Sequence, residues 1–196
     1  MIGVVDYEAG NIASVSNALA SIGVDFVVSG DRRKLEGCSG IILPGVGAAP
    51  GAMRSLEQKQ LTGLLKAPPV PLLGICLGMQ LLYERSEEGT TNCLGALDGT
   101  VRRFGSETSK IPHMGWNAVD QQLSDQLFSG IPQGAFFYFA HSYYAPVDRS
   151  SISATTEGVP FASAIHDGRF YGVQFHPEKS GPIGLRVLKN FAAVCK

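Results

Sequence analysis

One cysteine lies where the chain could present a nucleophile. Cys76 follows the apolar run 70–75 and precedes a segment with apolar residues at helical spacing, so we expect a strand, a sharp corner and a helix. Gly74 and Gly78 stand two residues away on either side, where larger side chains would clash as the chain reverses. The spacing matches the nucleophile elbow of α/β hydrolases, and the helix start favours a thiolate. A buried structural cysteine is the alternative.

A histidine and a glutamate supply the groups that a cysteine nucleophile needs. Pro177 keeps His176 extended, so His176 and Glu178 project on the same side of the chain. A carboxylate beside an imidazole fixes its tautomer and stabilises the imidazolium. We therefore expect Cys76, His176 and Glu178 to act as nucleophile, base and orienter. An ordinary strand end with a surface glutamate is the alternative.

The other three histidines are weaker candidates for the base. His113 and His141 lie near predicted strand ends, where they could be structural residues with satisfied hydrogen bonds. His166 stands beside Asp167 in a predicted turn, so we expect it to face solvent.

Two backbone segments could bind an oxyanion. The N–H of Leu77 is one donor, as in other elbows. The turn Pro44–Gly47 follows an apolar strand, and N–H groups around Gly45 and Val46 would face the thiol if that strand lies beside the Cys76 strand. A plain turn is the alternative, and a phosphate site is poorly supported because the turn lacks the Walker lysine. The residues alone thus predict acyl transfer through a thioester by a cysteine amidohydrolase.

Alternating strand and helix patterns predict an α/β fold. We expect an open, mostly parallel twisted sheet flanked by helices, with an additional smaller antiparallel sheet. We also expect a helix over 51–66 broken near Gln60, a short helix over 123–128 and a final helix that begins near Pro182. Asn11 could cap the first helix, or its loop could face a ligand or partner at the carboxyl end of a strand.

Size and composition limit the possible classes of protein. The 196 residues fit a single domain over 1–196, with 44% hydrophobic and 17% charged residues. A formal net charge of −1 argues against a nucleic-acid partner bound mainly through phosphates, and the sequence predicts no signal peptide or membrane helix. The four cysteines show no metal-ligand spacing, so we expect a reduced cytoplasmic protein; a disulfide pair is the alternative. The chemistry requires no cofactor or metal.

Several stretches resemble a known enzyme family. Gly74–Leu82, Gln174–Glu178 and Pro44–Gly47 resemble the triad glutamine amidotransferases, which hydrolyse glutamine and pass the ammonia to a synthase. A more specific resemblance, to glutaminase subunits of imidazole glycerol phosphate synthases in histidine biosynthesis, rests on four stretches that carry distinctive residues: 6–11, 112–117, 141–143 and 174–180. The resemblance spans nearly the whole chain. Ala49 departs from it, since relatives often carry an aromatic residue there, which bears on packing near the oxyanion turn.

The resemblance implies roles for particular residues. It implies Cys76, His176 and Glu178 as the triad. Glutamine contacts are implied at Gln80, Glu88, Ser142 and Tyr143. The spacing itself puts Gln80 one helical turn after the cysteine, and an acidic residue of the 84–90 loop could hold a substrate ammonium group.

The resemblance also implies a partner, a (β/α)8-barrel cyclase that forms a heterodimer with the glutaminase and receives the ammonia. Residues near that interface would be Asn11, Met114, Trp116, Tyr138 and Lys179. In relatives the glutaminase is nearly silent until the cyclase is bound and liganded, and a peptide flip in Pro44–Gly47 would make or remove an oxyanion donor.

Three other interpretations stay open at this stage. The chain could serve another synthase of the same family, for anthranilate, vitamin B6 or guanine nucleotides. It could be a stand-alone cysteine peptidase or γ-glutamyl hydrolase that needs no partner. It could also be a non-enzymatic scaffold protein, although the joint presence of Cys76, His176 and Glu178 speaks against that interpretation.

Overall fold

A computed structural model describes residues 1–8, 11–108 and 110–196, so part of the 6–11 motif lies outside it. The first half of the chain alternates strands and helices: β1 (Ile2–Val5), α1 (Ile12–Ser21), β2 (Phe26–Ser29), α2 (Arg32–Glu36), β3 (Gly40–Leu43), α3 (Ala49–Gln58), α4 (Thr62–Lys66), β4 (Leu72–Ile75) and α5 (Leu77–Gln80). The second half is mostly strands: β5 (Tyr83–Ser86), β6 (Thr91–Asn92), β7 (Leu97–Arg103), β8 (His113–Gln121), β9 (Ala135–His141), β10 (Tyr143–Tyr144), β11 (Ser151–Glu157), β12 (Val159–Asp167), β13 (Phe170–Val173) and the helix α6 (Gly181–Val194).

The described strands form one large mixed sheet in the order β2-β1-β3-β4-β13-β12-β11-β8-β9. The pairs from β2 to β13 are parallel, and those from β13 to β9 are antiparallel. The predicted α/β class is confirmed, but the antiparallel part is larger than expected. Short turns join β11, β12 and β13, and such connections allow only antiparallel neighbours.

A second, smaller sheet has the order β10-β7-β5-β6. Its β10–β7 and β5–β6 pairs are antiparallel, as expected of the extra sheet. Its central β5–β7 pair is parallel, because β6 intervenes in the chain between these two strands.

Helices cover both faces of the large sheet, so its central strands are buried on both sides. Ile42 of β3 packs in the cluster that includes α1 and α6 residues, whereas Ile41 and Leu43 pack in the cluster with α3 and α4. The break expected near Gln60 is present, since that residue has φ 56° and separates α3 from α4. The helix expected over 123–128 is only a 3₁₀ turn at Gln126–Phe128.

The centre of the sheet positions the candidate site. Strands β4 and β13 are parallel neighbours, with Ile75 paired to Val173. Their carboxyl ends therefore deliver Cys76 and the segment with His176 to the same edge, and the N–H of Cys76 donates to the Val173 carbonyl at 2.8 Å.

Candidate active site

The corner at Cys76 has the strained backbone that the sequence predicts. Cys76 has φ 52°, in the left-handed region, directly before α5. A Cβ at Gly78 would overlap the Leu43 carbonyl oxygen, and one at Gly74 would lie 2.6 Å from the Gly78 carbonyl. Only glycine fits at these two positions, because the backbone of the turn packs on itself and on β3.

His176 lies between the thiol and a buried carboxylate. Its Nδ1 is 2.8 Å from Oε1 of Glu178, and the two side chains are 3% and 0% exposed. Burial alone would lower the pKa of His176, but hydrogen bonds and charge interactions with Cys76 and Glu178 outweigh burial and raise it to about 10. The three predicted residues thus form one contiguous chain in which the imidazole is charged.

Asn11 contacts the carboxylate of this chain. Its Nδ2 donates to Oε1 of Glu178 at 3.1 Å, and its side chain makes no capping hydrogen bond to α1. Between the two roles left open for Asn11, the structure disfavours the helix cap. The other carboxylate oxygen, Oε2, is buried with no hydrogen-bond partner among the described residues.

A cavity of about 340 Å³ opens above the thiol. Its lining includes Cys76 and His176. All four residues expected to contact glutamine also line it, together with two of the oxyanion candidates: Gln80, Glu88, Ser142, Tyr143, Val46 and Leu77. The structure therefore brings the predicted substrate residues to the thiol.

Two of these lining residues also have structural partners. Nε2 of Gln80 donates to the Tyr143 carbonyl at 2.7 Å and to Oε1 of Gln174 at 2.8 Å. Oε2 of Glu88 accepts from the N–H of Ala49 at 2.7 Å, at the start of α3. Ala49, the position that departs from the resemblance, is thus bound through its backbone.

The turn Pro44–Gly47 lies against the elbow. A Cβ on Gly45 would overlap the backbone N–H of Gly78 and contact the Leu77 side chain at 2.7 Å. The Tyr7 hydroxyl donates to the Pro44 carbonyl at 2.8 Å, which ties the turn to the end of β1. The expected neighbourhood of Gly45, Val46 and Leu77 is therefore present.

Sequence reasoning assigned no separate role to two groups that touch the sulfur. Gln174 is fully buried, and its Nε2 donates to Sγ of Cys76 at 3.6 Å. The Ala140 carbonyl accepts from the thiol at 3.9 Å. Gln174 stands two residues before His176, a spacing that could have indicated a shared side; nothing local pointed to Ala140.

Four of the five predicted interface residues lie next to one another in a strip that begins at the cavity mouth with Met114 and Lys179. Cross-strand pairing puts Trp116 of β8 opposite Tyr138 of β9, with ring centroids 6.2 Å apart, and Met114 opposite Ala140. Lys179 lies 5.9 Å above the Tyr138 ring. The strip continues to Phe136, which sequence reasoning missed; Met114, Trp116 and Phe136 are 62%, 55% and 57% exposed.

The weaker histidine candidates have structural partners. His113 and His141 are buried and joined by a 3.1 Å hydrogen bond between Nδ1 and Nε2. His166 is only half-buried rather than fully exposed as expected, because its Nδ1 lies 2.6 Å from Asp125 and its ring stacks on Tyr171.

The described residues contain no cluster of side chains suited to a metal ion, and none of their helices is both long and apolar enough to cross a bilayer. The cysteines 38, 76, 93 and 195 are all free thiols.

Comparison with solved structures supports the fold. The chain superposes on a crystal structure of a glutamine amidotransferase with TM-score 0.76 at 16% identity, over 99% of this chain and 98% of that one. It superposes on PurLQS from Thermotoga maritima with TM-score 0.73 at 20% identity, over 100% and 98% of the two chains.

Sequence comparison identifies much closer relatives. The chain is 47% identical to the imidazole glycerol phosphate synthase subunit HisH of Dehalococcoides mccartyi (strain CBDB1), over 97% of this chain and 96% of the relative. It is 46% identical to the HisH subunit of Bacillus cytotoxicus, over 100% and 96%, and 45% identical to that of Bacteroides fragilis, over 97% of both. The resemblance drawn from the motifs is confirmed.

The family model for class-I glutamine amidotransferases matches residues 3–195, which contain the elbow, the His-Pro-Glu segment and the cavity between them. Together with relatives that match over nearly the full length, this shows that the chain belongs to the class-I glutamine amidotransferase family.

Proposed function

We propose that this chain hydrolyses L-glutamine to L-glutamate and ammonia, with Cys76 as nucleophile, His176 as general acid and base, and Glu178 as the group that orients the imidazole. The observation that carries the proposal is the buried chain from Cys76 through His176 to Glu178 at the floor of a cavity of about 340 Å³. Membership of the amidotransferase family supports it.

The geometry supports a thioester mechanism. The thiolate attacks the γ-carboxamide carbon, and N–H groups of Leu77 and of the Gly45–Val46 segment stabilise the oxyanion. The His176 imidazolium gives its proton to the departing nitrogen, so ammonia leaves and the acyl group remains on sulfur. The now neutral imidazole takes a proton from water, the resulting hydroxide attacks the thioester, and glutamate leaves as the carbon–sulfur bond breaks. No cofactor is needed in either half.

The cavity lining supports glutamine as the substrate. Glu88 is the acidic side chain of the lining, and its carboxylate would attract the α-ammonium group. Gln80, Ser142 and Tyr143 would hold the rest of the amino acid by hydrogen bonds. Gln80 can accept through Oε1, because its Nε2 is occupied by Tyr143 and Gln174.

The relatives are named as subunits of imidazole glycerol phosphate synthase, which indicates that this chain also works with a partner subunit. We propose that the partner is the cyclase subunit, which is a (β/α)8 barrel, in a cytoplasmic heterodimer. The ammonia would be used there to make imidazole glycerol phosphate and aminoimidazole carboxamide ribotide in histidine biosynthesis. Residues 1–196 would form the single glutamine amidotransferase domain of this heterodimer.

The surface around the cavity supports such a partner. A strip of exposed apolar and aromatic side chains on β8 and β9 begins at the cavity mouth, and strips of this kind are typical of protein interfaces. The interface would include the residues near the mouth and the one beside Glu178: Met114, Trp116, Tyr138, Lys179 and Asn11. Docking there would cover the mouth, so ammonia would leave into the partner rather than into solvent.

The same arrangement suggests how a partner could control the reaction. Val46 is exposed at the cavity edge, in the turn that packs on the elbow. A flip of one peptide in Pro44–Gly47 would add or remove an oxyanion donor, and we propose that the liganded partner favours the orientation with the donor.

Glutamate release from glutamine tests the proposal directly. The chain would be assayed alone, with a cyclase barrel of such a synthase, and with that barrel plus its ribotide ligand, with Cys76→Ala as the blank. We expect strong stimulation by the liganded barrel and none in the blank. Equal rates with and without the barrel would contradict the proposed partner and favour a stand-alone hydrolase.

A further inference from the structure

A continuous line of buried amides leads from the backbone of Tyr143 to the sulfur of Cys76. We propose that Gln174 is a positioning residue for Cys76: its amide N–H donates to the sulfur and stabilises the thiolate, in an orientation that the Tyr143 carbonyl imposes through Gln80. This inference rests on the proposed role of Cys76 as nucleophile.

The orientation of the amides follows from the kinds of atom that meet. A carbonyl oxygen can only accept, so the end of Gln80 at 2.7 Å from the Tyr143 carbonyl is its NH₂ group. The same NH₂ group donates to Oε1 of Gln174 at 2.8 Å. The opposite end of the Gln174 amide, its NH₂ group, therefore faces Sγ of Cys76 at 3.6 Å.

The starting point of this line is held firmly. The Tyr143 carbonyl also accepts from Nδ1 of His141 at 2.8 Å, so two donors fix its direction. A reversed Gln174 would place its NH₂ group against that of Gln80 and its carbonyl oxygen against the sulfur. Both contacts would be repulsive, the second because a thiolate is an anion.

Because both amides are buried, their orientation affects the stability of the thiolate. Gln174 is 0% exposed and Gln80 only 4% exposed, so water cannot replace a lost partner. In such surroundings a hydrogen bond to an ionised group has about twice the strength of a neutral one. The Gln174 amide therefore favours the thiolate over the thiol, whose S–H instead points to the Ala140 carbonyl.

The donor would act in both halves of the reaction. It stabilises the thiolate that attacks the carboxamide. In the second half the carbon–sulfur bond breaks and its electron pair returns to sulfur, and the same N–H donates a hydrogen bond to the thiolate that forms. Gln174 keeps its own protons throughout, since the proton transfers pass through His176.

Four other titratable groups of the site influence the charge on the sulfur or could do so. His176 provides the positive charge, and Glu178 acts through it. Burial and then the charge on Cys76 raise the pKa of Tyr7, so its hydroxyl stays neutral. Burial lowers the pKa of His141 to about 3, so that ring is neutral too. Replacing Gln174 leaves all four in place.

The test compares Gln174→Met, which keeps the size but removes the donor, with Gln174→Glu, which puts a carboxylate there. Ser163→Ala is the control, because Ser163 is equally buried and pairs with the backbone of Gln174, but its hydroxyl bonds to Ser153. Alkylation of Cys76 by iodoacetamide would be followed against pH in the substrate-free chain. The kcat and KM for glutamine would be measured in the complex with the partner subunit.

We expect Gln174→Met to move the half-maximal pH of alkylation upward by about one unit and to lower kcat about tenfold, with KM within about twofold. Gln174→Glu should move the pH further in the same direction. Ser163→Ala should move neither. If a folded Gln174 variant has the same half-maximal pH of alkylation as the parent and differs from it only in stability, the proposal is wrong.

A second comparison tests the line through Gln80. Gln80→Glu can no longer donate to Gln174, so the Gln174 amide should reverse and the half-maximal pH should rise. In the Gln174→Met background, Gln80→Glu should change the half-maximal pH little further. An equal rise in that background would mean that the new carboxylate acts by its charge alone, and the proposed role of Gln80 in orienting Gln174 would be wrong. Alkylation needs no glutamine, so these outcomes stand apart from the proposed function, which fails instead if Cys76→Ala still releases glutamate.

Discussion

Of two buried histidines near the sulfur, one is protonated and the other is neutral, and their surroundings explain the difference. His176 faces Glu178 and Cys76, so its pKa is raised to about 10 despite burial. Nδ1 of His141 donates to a carbonyl, and its Nε2 must then accept from His113 when neutral. Burial lowers the pKa of His141 to about 3. Of these two rings, His176 is the one able to act as an imidazolium.

The neutral state of His141 predicts a loss of stability in mild acid. Below pH about 6.5 the unfolded chain protonates this histidine but the folded chain does not, so the free energy of unfolding falls as pH falls. From pH 7.5 to 5.5 one such group costs about 1.3 kcal/mol. Urea unfolding at the two pH values should therefore show a change in the free energy of unfolding on acidification that is less favourable for the parent than for His141→Asn.

Two neighbouring histidines do not change the sign of that comparison. His176 is already protonated in the folded chain over this range, so its raised pKa adds stability as pH falls, and it does so equally in both proteins. The pKa of His113 is also lowered by burial, so part of the acid loss should persist in the variant. Equal changes in parent and variant would show that His141 titrates normally in the folded chain.

A second prediction for a single residue concerns Glu88. The variant Glu88→Gln keeps an oxygen that can accept from the Ala49 N–H but loses the negative charge. If that charge attracts the substrate ammonium group, KM for glutamine should rise about tenfold while kcat changes little. Steady-state kinetics of the complex would measure both. A fall in kcat with unchanged KM would mean that Glu88 supports the start of α3 instead.

How far the sequence reveals this site depends on separation along the chain. His176 and Glu178 are two residues apart with a proline between them, so their common direction was predictable. Gln174 reaches Gln80 across 94 residues, and Gln80 reaches Tyr143 across 63, so only the sheet brings them together. The contact between His166 and Asp125, which keeps that histidine from full exposure, spans 41 residues and was invisible for the same reason.

At the scale of elements, the elbow was predictable because its constraints are local. Gly74 is required by the reversal of the chain itself, because a Cβ there would meet the Gly78 carbonyl, whereas Gly78 also faces the Leu43 carbonyl of β3. Gly45 is different: its lack of a side chain is required by Gly78 and Leu77, on another segment. The sequence therefore predicted a turn at Pro44–Gly47 but left open whether that turn met the thiol.

The glycine contacts predict a large effect for one methyl group. In Gly78→Ala the new Cβ would meet the Leu43 carbonyl, a backbone atom that cannot move without distorting β3. We expect a loss of at least about 2 kcal/mol in the free energy of unfolding, together with loss of glutaminase activity. Gly63→Ala in α4 is the matched control, because its nearest neighbour would be a side-chain nitrogen at 3.8 Å. The control should be neutral or stabilising by about 0.5–1 kcal/mol; similar losses in both would contradict the steric argument.

At the scale of the whole molecule, the large sheet joins two parts with different uses. The parallel part delivers the carboxyl ends of β3, β4 and β13 to the site, as open α/β sheets do. The antiparallel part ends in β8 and β9, whose outer face carries the exposed strip. Strand-helix alternation made the first part predictable; the second consists of strands in succession, whose order depends on contacts far apart in the chain.

That division predicts that partner binding can be weakened without harming the site. Trp116 and Phe136 lie on the exposed face of the β8–β9 pair and do not line the cavity. Replacing either by alanine should weaken binding of the cyclase barrel about tenfold, as expected for aromatic side chains at an interface, and leave the rate of the isolated chain unchanged. Val28→Ala is the control, since Val28 is 39% exposed on β2, at the opposite edge of the sheet. Titration calorimetry would measure the affinities; if the Val28 variant weakened binding and the strip variants did not, the partner would bind at the other edge and the ammonia could not pass directly from the cavity.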